Sequence, residues 1–147
     1  MAIDTSADGR LAASGGKDHT ARVWDLETHE FKADLSRCIA VCSGHTESIG
    51  AVAFSKKSRD FIVTGGADKT IKYWDVSSAT SAKRSGSSAP VTCHAGRTIK
   101  AHDKEINSVA VAPNDSLVAT GSQDKLVKVW DTESLSLKGT LKGHQRG

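Results

Sequence analysis

Cysteine, proline and aromatic residues are scarce in this chain, and no long apolar run interrupts it. The cysteines are an odd number, Cys38, Cys42 and Cys93, too few for the disulfide framework of a small secreted domain, so a reducing compartment is expected. No stretch approaches the roughly 20 apolar residues of a membrane-spanning helix, and the N-terminal segment lacks the apolar core and cleavage site of a secretory signal. The expectation is a soluble, intracellular protein with no membrane partner. Phosphate-binding loops are missing too: Ser14-Gly15-Gly16-Lys17 and Thr64-Gly65-Gly66 have neither the spacing nor the following helix of a nucleotide site. No pair of carboxylates stands apart as a glycosidase pair would. Cys38, Cys42 and His45, with Cys93 and His94, are the one conceivable zinc set, but the repeated paired spacing of such sites is absent and buried thiols are the simpler reading. No metal, cofactor or small-molecule substrate is therefore expected. The net charge of +3 permits an acidic partner such as RNA without requiring one.

What the chain has instead is self-similarity. Residues 11–26 (LAASGGKDHTARVWDL), 61–76 (FIVTGGADKTIKYWDV) and 117–132 (LVATGSQDKLVKVWDT) align without gaps. Each reads as a strand ending in Ser or Thr plus Gly, a turn carrying an Asp, and an alternating strand ending in Trp-Asp. Further strand-like runs, 49–54 and 106–112, follow a His at Gly44-His45 and Ala101-His102, and a partial copy at 2–5 precedes the first unit. Fourth strands are expected at 39–42, 98–100 and 137–141. Turn residues at Asp8-Gly9, 56–60 and Pro113-Asn114-Asp115 mark the reversal from first to second strand. Two connections are longer, 27–36 and the Ser/Ala/Gly-rich 77–96, which reads as a flexible surface insertion. The opening strand is cut short and Gly143-His144 announces one more repeat, so both ends look truncated.

The repeated polar residues have a common chemistry. A buried indole N–H, hydroxyl, imidazole and carboxylate each need a partner, and together they satisfy one another. The second unit offers His45, Thr64, Asp68 and Trp74, and the third offers His102, Thr120, Asp124 and Trp130. The first offers Ser14, Asp18 and Trp24, its His falling upstream of Met1. A hydroxyl, a His and an Asp together also invite a hydrolase reading, but an active site is built once whereas this set recurs in every unit.

Gly-His, Ser/Thr-Gly, Asp and Trp-Asp at these intervals resemble the WD-repeat family over nearly the whole chain. That resemblance implies an all-β fold of four-stranded β-propeller blades around a channel, here about three blades of an incomplete ring, with the same indole-to-carboxylate network inside each. Residues 37–50 (RCIAVCSGHTESIG) and 102–128 (HDKEINSVAVAPNDSLVATGSQDKLVK) resemble a narrower branch, the transducin-beta-like scaffolds of the UTP-B subcomplex of the small-subunit processome. Membership there implies a non-catalytic nucleolar scaffold that binds other processome proteins, the small nucleolar ribonucleoprotein and precursor ribosomal RNA. A cytoplasmic WD-repeat adaptor in signalling or ubiquitin ligation is the alternative, and a hydrolase the remote one. The branch carries tandem propellers, so residues 1–36 are expected to end one blade or propeller and 37–147 to supply two further blades and the start of a next. Lys56, Lys57 and Arg59 in one turn, and Lys83 and Arg84 in the 77–96 connection, emerge on one face as candidate RNA or partner contacts. Lys17, Lys69, Lys104 and Lys125 fall on the opposite face. Ser85, Ser87 and Ser88 are candidate phosphorylation sites beside Lys83-Arg84.

Overall fold

The computed structural model describes residues 1–27, 37–57, 59–84 and 89–147, the side chain of Arg84 excepted. Strands β1 (Ala2–Thr5), β2 (Leu11–Gly15), β3 (Thr20–Asp25) and β4 (Cys38–Ser43) form the first antiparallel blade. The second contains β5 (Ile49–Phe54), β6 (Phe61–Gly66), β7 (Thr70–Asp75) and β9 (Arg97–Lys100). The third contains β10 (Ile106–Val111), β11 (Leu117–Ser122), β12 (Leu126–Asp131) and β13 (Leu137–Lys142). Between β7 and β9 lie helix α1 (Ser77–Arg84) and the short strand β8 (Val91–Cys93). The result is an all-β, incomplete propeller. The first strands β1, β5 and β10 stand side by side, with β5 touching both neighbours.

Burial explains why the second blade reads as nearly continuous apolar sequence. Every residue of β6 is buried, and its side chains alternate between two interfaces. Ile62 joins Trp74, Val52 and Phe54 against Ala13, Val23, Ala40 and Cys42 of the first blade. Phe61 and Val63 join Ile71 against Ile106, Val118 and Trp130 of the third. A strand covered on both faces has no reason to alternate polar and apolar residues.

The glycine that follows each Ser or Thr makes this approach possible. A side chain at Gly15 would collide with Ile49 of the next blade. At the equivalent Gly65, a Cβ would lie 2.5 Å from Ile106 Cγ2 and 3.0 Å from Val109 Cγ2. Ile106 is buried, Val109 is partly buried, and both are branched at Cβ, leaving little room to yield. Gly65→Ala is therefore expected to destabilise the fold by about 1–3 kcal/mol through overpacking. At Gly121 the nearest atom to a Cβ is Ser108 Cβ at 3.8 Å, so Gly121→Ala is expected to leave the urea midpoint unchanged or slightly raised. Equal midpoints for the two variants would contradict this account of blade packing.

Three expectations need correction. The 77–96 connection is not wholly irregular, since it supplies α1 and then β8, which adds to β4 as a parallel fifth strand of the first blade. Ser77 N–H donates to Asp75 Oδ1, Val76 and Ala79 are buried, and Lys83 reaches Asp25 and Glu27 at 2.8 and 2.6 Å. The boundary between residues 36 and 37 does not separate blades, because β4 pairs with β3 across it. Nor does packing break between the first two blades: they share one buried core, and residues 28–36 lie outside the described residues.

Candidate functional site: the repeated network and the two faces

Antiparallel connection puts the β2–β3, β6–β7 and β11–β12 turns on one face, together with the loops bearing His45 and His102. The structure brings the second set together as a relay. Trp74 Nε1 donates to Thr64 Oγ1 at 2.8 Å, Thr64 Oγ1 lies 2.7 Å from His45 Nε2, and His45 Nδ1 lies 2.8 Å from Asp68 Oδ2. The third set repeats it. Trp130 Nε1 to Thr120 Oγ1 is 2.9 Å, Thr120 Oγ1 to His102 Nε2 is 2.7 Å, and His102 Nδ1 to Asp124 Oδ2 is 2.8 Å. In the first set Trp24 Nε1 donates to Ser14 Oγ at 2.9 Å. There, among the described residues, Asp18 holds its own turn and an ion pair to Arg22.

Each Asp divides its two oxygens between two tasks. Asp68 Oδ1 accepts from the Thr70 N–H and hydroxyl, while Oδ2 accepts from His45 and the Thr46 N–H. Asp124 does the same with Leu126 on one side and His102 and Asp103 on the other. The residue after each Asp, His19, Lys69 or Lys125, has φ near 70° in the left-handed region. That strained turn is held by the carboxylate.

Protonation follows from the partners. A carboxylate only accepts, so His45 Nδ1 carries the proton and Nε2 accepts from the Thr64 hydroxyl, which in turn accepts from the indole. Burial disfavours the charged imidazole and outweighs the pull of Asp68, setting the His45 pKa below its ordinary 6.5. Burial pushes Asp68 upward, but hydrogen bonds from Thr70 and His45 outweigh it and hold the carboxyl below its ordinary 3.8. A neutral imidazole therefore faces an ionised carboxylate. The unfolded chain takes up a proton at His45 that the folded chain refuses. Stability is thus full above the ordinary 6.5 and falls as pH drops from there toward the folded value, with a second loss through Asp68 below 3.8. Urea midpoints measured from about pH 7.5 to about pH 5.5 should fall more steeply for the parent chain than for His45→Gln. Parallel profiles would show that His45 contributes nothing to the slope.

Sequence reasoning missed a second set of carboxylates at the opposite ends of the strands. Asp115, buried in the β10–β11 turn at φ 61°, accepts from Ser55 Oγ at 2.5 Å and from the Lys56 N–H at 2.6 Å. From the other side Asp4 of β1 accepts from the Phe54 N–H at 2.9 Å. The β5–β6 turn is thereby gripped by both neighbouring blades. The Asp of each Trp-Asp pair also has a task, since Asp25, Asp75 and Asp131 accept backbone N–H groups at Glu27, Ser77 and Glu133 and cap the turn after the third strand. The repeated spacing of the Trp-Asp pair was a signal for the latter, but not for the clamp.

The candidate basic contacts are mostly engaged. Lys56 pairs with Asp4 at 3.2 Å, Arg59 pairs with Glu133 at 3.6 Å and lies over Phe61, and Lys83 bridges Asp25 and Glu27. Lys57 is exposed. Ser85, Ser87 and Ser88 lie outside the described residues, as does the Arg84 side chain. A phosphate approaching this face meets carboxylates beside most of its lysines and arginines, which lowers the field it experiences.

Comparison with known proteins follows the same repeat. The profile of the family described as "WD domain, G-beta repeat" matches residues 1–25, 36–75 and 93–131. Transducin beta-like protein 3 of Bos taurus is 45% identical over 148 residues, covering 100% of this chain and 18% of that protein. The Homo sapiens protein of the same name is 42% identical with the same coverage. U3 small nucleolar RNA-associated protein 13 of Saccharomyces cerevisiae is 35% identical, covering 99% of this chain and 17% of its own length. The chain thus spans less than a fifth of the length of each of these three relatives.

Proposed function

The chain belongs to the WD-repeat family, and from that premise we propose that it serves as a non-catalytic binding scaffold in small-subunit ribosome biogenesis. The observation that carries the non-catalytic part is the fate of the repeated hydroxyl. Thr64 and Thr120 are buried, each is occupied by an indole N–H and an imidazole, and neither has a face open to a substrate. A nucleophile must reach a reacting atom, and each of these hydroxyls is enclosed by its own indole and imidazole. Their output is rigidity, which holds the loops on both faces in fixed positions for partners to dock.

The biogenesis part rests on the relatives, one of which is named for association with the U3 small nucleolar RNA. On this reading the protein resides in the nucleolus, docks other processome proteins, and works alongside the small nucleolar ribonucleoprotein and precursor ribosomal RNA. The ion-paired state of Lys56, Arg59 and Lys83 favours protein over RNA as the direct partner of that face. The test is to tag the full protein that carries this chain in its native cells, purify it after crosslinking and sequence the associated RNA. Enrichment of precursor ribosomal RNA and U3 RNA over a cytoplasmic WD-repeat control is expected. Cytoplasmic localisation with no such enrichment would overturn the assignment.

A further inference from the structure

We propose that Cys93 and Cys42 form an oxidation-responsive dithiol, in which a peroxide oxidises Cys93 and Cys42 resolves it into a disulfide that fastens β8 to the edge of the first blade. The geometry begins with register. Strands β4 and β8 run parallel with Ala40 opposite Val91, Val41 opposite Thr92 and Cys42 opposite Cys93. Paired residues on adjacent strands stand about 4.8 Å apart with side chains on the same face. That lies inside the Cα separation of roughly 4.4–6.8 Å that a disulfide accepts. Both cysteines are buried, in the same apolar cluster as Trp74, Val76 and Ala79. Cys38 is excluded as a partner: it is four residues back along β4, about 13 Å at the rise of a strand.

The two thiols are not equivalent. Cys93 interacts with the Cys42 thiol and with Ser78 in the first turn of α1, and these contacts hold its pKa down to about 7 against burial and the Asp75 carboxylate. Cys42 moves the other way, pushed up by Cys93 and by burial. Near neutral pH, Cys93 therefore supplies the thiolate and Cys42 keeps its proton, the division of labour that an attacking and a resolving thiol require. Cys93 is buried, but β8 is a three-residue strand at the edge of its sheet, so local opening of that edge admits a small oxidant.

The chemistry balances with hydrogen peroxide as the oxidant. The Cys93 thiolate attacks one peroxide oxygen, the O–O bond breaks, and a sulfenic acid and hydroxide result. The Cys42 sulfur then attacks the Cys93 sulfur, the S–O bond breaks, and the released hydroxyl leaves as water with the Cys42 proton. The pair loses two electrons, and the peroxide becomes one water and one hydroxide, which takes up the proton that Cys93 gave to solvent on ionising and becomes the second water. The bond would tie the connection that leaves the second blade to the outer edge of the first, where three residues of β8 now hold it.

The experiment uses the purified chain, treated with a small excess of hydrogen peroxide, alkylated, digested with trypsin and analysed by mass spectrometry. Cys38 and Cys42 share the tryptic peptide 38–56, so Cys38→Ser is run in parallel to assign the bond. The expected result is a single intrachain Cys42–Cys93 bridge in both proteins, reversed by a thiol reductant, with Cys93 alkylated ahead of Cys38 before oxidation. Survival of all three thiols, a bridge through Cys38, or bridges only between chains would overturn the proposal. Cys93→Ser should form no bridge. The parent chain decides the matter even if that variant folds poorly.

Discussion

Asp68→Ala should unfold in distinctly less urea than the parent chain, whereas Asp60→Ala should not. Removing the Asp68 carboxylate strips an acceptor from the His45 ring N–H, the Thr46 and Thr70 amides and the Thr70 hydroxyl at once. A buried donor left without a partner costs about 1–3 kcal/mol, and His45 is enclosed on every side. The amides lie nearer solvent and regain part of their loss from water, so the total is on the order of 3 kcal/mol rather than a full sum. The turn suffers as well, because Lys69 sits at φ 70° and the carboxylate is what holds that conformation. Asp60 is half-buried in the β5–β6 turn, and its backbone carbonyl, which accepts from the Val76 N–H, survives substitution. Asp68→Asn separates charge from shape: it keeps an oxygen for one task and loses the charge-assisted bond for the other, so its midpoint should fall between parent and Ala. If Asp60→Ala proved as damaging as Asp68→Ala, the special position of the network would be lost.

How much of this was legible in the sequence depended on whether a contact repeats. The hairpin of each unit, its Asp turn and its Trp-bearing strand recur at fixed spacing, and one physical solution serves each copy, so period alone locates β2, β3, β6, β7, β11 and β12. The glycine after Ser or Thr was visible as a letter, but its cause, the intrusion of Ile49 or Ile106 from the next blade, required the packing. The carboxylate clamp was invisible for a related reason. Asp115 and Ser55 are 60 residues apart, and Asp4 and Phe54 are 50 apart. No local pattern marks either Asp as different from its solvated neighbours.

The 77–96 connection failed to read for the opposite reason, since its local signals are weak and its structure is imposed from outside. Ser and Thr make poor helix interiors, and SSATSAKR has no acidic residue in its first turn to favour the start of a helix. Helix α1 exists because Asp75 caps it, Ala79 finds the core beside Val76, and Lys83 closes on two carboxylates of the first blade. Strand β8 is three residues long, and its partner β4 lies in another blade. The same ion pairs account for the difference between the basic face expected from the placement of Lys and Arg and the mostly paired face found among the described residues. Charge in a sequence is counted residue by residue, but a partner meets the field that remains after pairing.

The buried indole is where these lines meet, and Trp74→Ala carries the largest expected loss in the molecule. Trp74 is fully buried at the interface of the first two blades, and truncation there costs about 3–5 kcal/mol in lost burial and residual cavity. Against a total stability of roughly 5–15 kcal/mol, that is enough to leave a large unfolded fraction. Trp74→Phe isolates the polar share. Thr64 still donates to His45 and loses only the donor to its second lone pair, so the loss should fall to about 1 kcal/mol plus a small volume term. Trp24 offers the internal comparison: it makes the same bond to Ser14, but it is only partly buried and, among the described residues, no imidazole stands behind the Ser14 hydroxyl. Trp24→Ala should therefore cost clearly less than Trp74→Ala in parallel urea titrations followed by circular dichroism. Equal losses at the two positions would mean that the indole stabilises its own sheet alone, and that the completed relay to His45 and Asp68 adds nothing to the hold of one blade on the next.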